Sequence, residues 1–117
     1  MSEIKPAGYQ DLRNYIEANW EYIELRDDQG SAIVRLPITD DRVEWTHTPG
    51  AQTLEMTVTI NGSDPDISLP QTVAGSALYK AASGGDAMSE KTFVPFTLMA
   101  AEDEITIRHQ IQVPEVV

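Results

Sequence analysis

The chain of 117 residues contains no cysteine. That removes a disulfide framework, a thiolate nucleophile and the sulfur ligands of a structural zinc, so stability has to come from packing. Basic residues are also scarce: eight Lys and Arg stand against 19 Asp and Glu, a formal charge of −11. A surface that neutralises phosphates needs clustered Lys and Arg, so specific nucleic-acid binding is not expected, nor is binding to anionic lipid. Apolar runs fall far short of the roughly 20 residues that cross a bilayer, and no membrane partner is expected. Met1 to Lys5 leads directly into Pro6-Ala7-Gly8 without an apolar stretch, so export by a signal peptide is not expected either. No serine stands in Gly-x-Ser-x-Gly, and Gly84-Gly85-Asp86 lacks the Gly-Lys-Ser/Thr ending of a phosphate-binding loop.

What is present is strand pattern. The length suits one domain, residues 1–117, with residues 1–7 as a flexible N-terminal arm. From Gly8 the spacing is helical: Tyr9, Leu12, Ile16 and Trp20 form a stripe, with Asp11, Arg13 and Glu17 off it, predicting a helix over 8–19. Tyr22 to Leu36 reads as a first hairpin around Asp27-Asp28-Gln29-Gly30. The clearest stretch is Arg42 to Ile60, a second hairpin in which Leu54, Met56, Val58 and Ile60 alternate with Thr53, Glu55, Thr57 and Thr59. The turn formers of 61–66 end it. Ile67 to Leu69, closed by Pro70, suits an edge strand or an ordered loop. Residues 72–82 are compatible with helix or strand, and a helical turn is the preferred reading. Thr92–Ala100 and Glu104–Val113 predict a last hairpin around an acidic turn. In sum the chain is mainly β, an antiparallel β-sandwich or barrel of six to seven strands with one N-terminal α-helix, α+β being the alternative. Glu104–Val113 is the expected mate of the 42–60 hairpin, and the threonine face around Thr57 and Thr59 is the expected place for another chain to add.

Candidate chemistry is thin. The two histidines, His47 and His109, both fall in the apolar register of their strands, and on adjacent strands they could share a metal with a carboxylate. Their separation matches no motif, so the reading is of rim or core histidines with no metal. Asn61-Gly62-Ser63 fits the glycosylation pattern but reads as a turn. Neither Asn61, Asp64 and Asp66 nor Asp27, Asp28 and Gly30 follows the spacing of a calcium loop. Asp40-Asp41 and Glu102-Asp103-Glu104 read as solvated turn carboxylates. Tyr9, Trp20, Tyr22, Trp45 and Tyr79 would make a sugar platform if exposed. No catalytic, cofactor-binding or metal residue is assigned, and no cofactor is expected.

AGYQDLRNYIEANWEYIELRDDQG, RVEWTHTPGAQTLEMTVTI and EDEITIRHQIQVPEVV together give the chain a general resemblance to the small structural proteins of tailed bacteriophages and prophages. The resemblance implies a non-enzymatic head, connector or tail component that self-associates or docks on a protein partner. It would sit in the cytoplasm during assembly, with the virion as a further location. The other function class is a stand-alone binding module for a glycan or small molecule.

Overall fold

A computed structural model, which describes residues 2–114, has one helix followed by seven strands. Helix α1 spans Pro6–Asn19; the strands are β1 Tyr22–Arg26, β2 Ala32–Pro37, β3 Val43–Thr46, β4 Thr53–Asn61, β5 Gln71–Tyr79, β6 Ser89–Leu98 and β7 Glu104–Gln112. They form a four-stranded sheet in the order β2-β1-β5-β6 and a three-stranded sheet in the order β3-β4-β7, with every pairing antiparallel. The architecture is therefore the expected mainly-β, sandwich-like one.

Alternation along β4 buries Leu54, Met56, Val58 and Ile60 completely. Met56, Val58 and Ile60 meet Ile23, Leu25 and Leu78 of the facing sheet in the main core cluster. Each fully buried side chain of this size contributes about 1.5–3 kcal/mol. Both early hairpins form as their patterns dictate. In the first, the Asp27 carboxylate accepts from the Gln29 and Ser31 amides, and Gly30 takes φ +77 in the turn. β7 is the mate of the second hairpin, paired with β4 from Thr53↔Gln112 to Asn61↔Glu104. Of the two readings for Ile67–Leu69, the ordered connection holds, with Ile67 turned into the core.

Four expectations are corrected. The helix starts at Pro6, inside the expected arm: proline suits the first helical turn because its missing N–H has no intrahelical partner there. The helix's packed face is Tyr9, Arg13, Ile16 and Trp20. Leu12 is exposed, while Arg13 is buried and donates to the Val113 carbonyl beyond β7 and to Gln10 Oε1 (3.1 Å).

The segment read as a helical turn is mostly strand β5, central in its sheet and hydrogen-bonded on both sides. Its small residues answer to neighbours rather than propensity. A Cβ on Gly75 would lie 2.9 Å from the Lys91 carbonyl, and Ala77 is fully buried opposite Glu24 and Glu90.

The last two strands are not a hairpin. β6 pairs with β5 and β7 with β4, so residues 99–103 cross from one sheet to the other. The Asp103 carboxylate holds this crossover by accepting from the Met99 and Ala100 amides, bonds that keep its pKa below the ordinary range.

A second device pins the far end of β4. The Arg42 guanidinium reaches Asp40 (2.9 Å), Asp64 (3.4 Å) and Asp66 (2.8 Å). Hydrogen bonds from its side chain and backbone hold Asp40 down at about 2. Arg42→Ala leaves three carboxylates facing one another, and we expect it to cost about 2 kcal/mol in urea unfolding at pH 7. NMR titration of the variant should find Asp40 returned toward the ordinary carboxylate range.

Candidate functional site

β6 and β7 are edge strands of different sheets, and they run along the same margin of the sandwich. Two polar side chains tie them together there. His109, on the inward register of β7 and 1% exposed, places Nδ1 2.7 Å from the Ser76 hydroxyl of β5 and Nε2 2.8 Å from the Ser89 hydroxyl of β6. Lys91 of β6 turns inward and donates to the Arg108 carbonyl oxygen of β7 at 2.8 Å.

Two serines thus flank one imidazole, a pairing for which the sequence offers no motif. Its chemistry is that of a strut. Burial, with the Lys91 charge adding to it, lowers His109 to about 4, which makes it a weak base near neutral pH. Its Nδ1 partner is a hydroxyl, so no carboxylate is in place to stabilise an imidazolium as a catalytic triad requires.

His47 lies elsewhere, just past the end of β3, so the two histidines do not share partners. Its Nε2 is 3.3 Å from the Gln10 amide nitrogen and accepts from it, so Nδ1 carries the proton and donates to Glu17 at 3.0 Å. The side chain fastens α1 to the β3–β4 loop, where Gln10 Oε1 also accepts from the Gly50 amide at 2.7 Å. Among the described residues no group of three or more His, Cys, Asp or Glu is placed to hold a metal ion.

The remaining candidates are occupied locally. Asp64 accepts from the Asn61 amide, and Gly62 is buried, so the Asn61-Gly62-Ser63 pattern lies in a packed turn. None of Tyr9, Trp20, Tyr22, Trp45 and Tyr79 stands exposed. Trp45 Nε1 donates to the Trp20 carbonyl (3.2 Å), and the Tyr79 ring lies 3.5 Å beneath the Arg35 guanidinium. Around that ring Arg35 and Arg26 also bond Glu24. Burial works to raise the Glu24 pKa, but the two arginines outweigh it and hold it low. The threonine face is likewise corrected: β4 is the central strand of its sheet, and Thr59 and Thr106 hydroxyls already meet at 3.1 Å.

Leu12 and Tyr15 on α1 are exposed, and the most exposed apolar side chains, Val94 and Met99, belong to β6 and the residue that follows it. Between Thr92 and Phe96, β6 bulges against a single β5 residue, and the bulge presents Val94, 88% exposed, beside Pro95. Phe96 and Met99 are also exposed. A groove of about 240 Å³ lined by Lys91, Phe93, Ile105, Thr106, Ile107 and Arg108 separates the two strands. The run Phe93-Val94-Pro95-Phe96 is the signal that could have marked this margin, because proline inside an apolar strand points to an edge. Comparison of the chain with protein-family models, with curated proteins and with solved structures finds no match.

Proposed function

We propose that this chain is a non-enzymatic structural subunit that works by protein–protein assembly, of the kind tailed phages and prophages build into head, connector or tail. The observation that carries the reading is the β6–β7 margin, where two strand edges and the exposed Val94, Phe96 and Met99 lie side by side. Unpaired strand edges and clustered apolar side chains are what a soluble β-protein shields unless another chain covers them. The sequence resemblance supports the same class. His109 and the carboxylates of Glu24, Asp40, Asp64 and Asp66 find their partners within the fold, which leaves them structural work.

Sedimentation velocity and small-angle scattering across concentration test this, alone and with head, connector and tail proteins. Assembly or co-sedimentation is the expected result. A chain that stays monomeric and binds none of these proteins would refute the proposal.

A further inference from the structure

The four sheet edges are unequally protected. β3 has only four residues, β2 is six residues long and ends at Pro37, and β6 is broken by its bulge and Pro95. β7 has nine residues, Glu104–Gln112, without proline or glycine. Main-chain groups alternate in direction along a strand. The Asp103 carbonyl and the Val113 amide bond toward β4 and its flanks, whereas the Arg108 carbonyl faces Lys91 on the opposite side. The amides and carbonyls of Glu104, Thr106, Arg108, Gln110 and Gln112 therefore face outward. Among the described residues only the Arg108 oxygen has a partner there, the Lys91 ammonium.

We infer that this edge pairs with the β7 edge of a second copy, antiparallel about a two-fold axis through Thr106. The inference rests on the assembly reading and names its partner. Antiparallel pairing about a two-fold makes each strand read its own sequence reversed, so self-complementarity can be checked residue by residue. Centring on Thr106 sets Thr106 opposite Thr106, Glu104 directly opposite Arg108 on both sides of the axis, and Ile105 opposite Ile107. Each is a favourable cross-strand pair. Centring on Arg108 instead would oppose two arginines.

The groups concerned are available. Glu104 is exposed and has no ion pair among the described residues, and the Arg108 side chain is 62% exposed, using Nη1 on Glu55 (3.0 Å). The groove beside Ile105 to Arg108 gives the incoming strand room. In this pairing the Glu104 amide of the second copy takes the Arg108 carbonyl from Lys91. Lys91 thus guards the edge in the single chain, as inward-pointing charges on edges do.

The test is sedimentation velocity over a concentration series for wild type, Thr106→Pro, Glu104→Arg, Arg108→Glu and the charge-exchanged double variant, with folding checked by circular dichroism. Thr106→Pro removes an outward amide that the β4–β7 ladder does not use, so the fold should stand while self-association is lost. Each single charge variant should weaken association about tenfold by setting like charges opposite, and the double variant should restore it. Lys91→Ala should strengthen it. Self-association that is unchanged in the β7 variants overturns this inference and leaves the assembly proposal standing. A wild-type chain that binds head, connector or tail proteins but stays monomeric by itself overturns the second copy as occupant. One that does neither overturns both.

Discussion

Gly62→Ala should destabilise this fold by roughly 3–4 kcal/mol, the combined effect of overpacking and a lost backbone hydrogen bond. Gly62 follows β4 directly beneath the crossover between β6 and β7, and its amide donates to the Asp103 carbonyl at 2.8 Å. A Cβ there would stand 2.0 Å from the Ala100 carbonyl oxygen and 2.9 Å from its carbon. Both atoms are backbone, so no side chain can rotate to make room. The crossover would have to lift, taking with it the start of β7 and the bonds from Asp103 to Met99 and Ala100. A loss of this size is a large fraction of the 5–15 kcal/mol typical of a domain. Urea unfolding of wild type and variant at pH 7 measures it, and a loss below about 1 kcal/mol would mean that the crossover yields easily.

Acid should weaken the protein in two stages, the first belonging to His109. Its pKa is about 4 in the folded chain against an ordinary 6.5, so between those values the unfolded chain binds the extra proton. Stability is therefore full above about pH 6.5, falls as pH drops toward 4, and levels once both states are protonated; the loss from pH 7 to 5 is about 2 kcal/mol. The carboxylates act lower. Asp40, held at about 2 against an ordinary 3.8, and Glu24 and Glu55, also held low, stabilise above their ordinary values and lose that contribution as pH falls further. Urea midpoints measured every half unit of pH should show both stages. In His109→Gln the decline between pH 6.5 and 5 should flatten, and an unchanged slope would assign the first stage to another group.

The strongly periodic elements were legible in the sequence because their burial is one-sided. Leu54 to Ile60 could face only one core, and the same alternation from Ile105 to Ile111 identified β7 as its mate. Segments shaped by distant neighbours were not legible. The small residues of β5 look helix-compatible until Lys91 and the Glu24 cluster are placed around them. Glu102-Asp103-Glu104 resembles a hairpin turn locally, and only the choice of β4 and β5 as partners makes it a crossover. Arg13 reads as an exposed helical residue because its acceptor, the Val113 carbonyl, is 100 residues away. The β6–β7 margin escaped notice for the same reason: it exists only once two strands from different sheets lie together.

That crossover also governs the order in which the molecule can be completed. β1 pairs with β5 and β4 with β7, so the inner strand of each sheet waits for a segment far downstream. Loop-closure entropy is lost before such pairings return any energy, which places folding in the slow, millisecond-to-second range of β-rich topologies. During synthesis α1 and the first two hairpins emerge while β4 still lacks β7, leaving one edge of a nine-residue strand with one apolar face open. Chaperone demand should therefore be greatest in that interval and end when β7 docks.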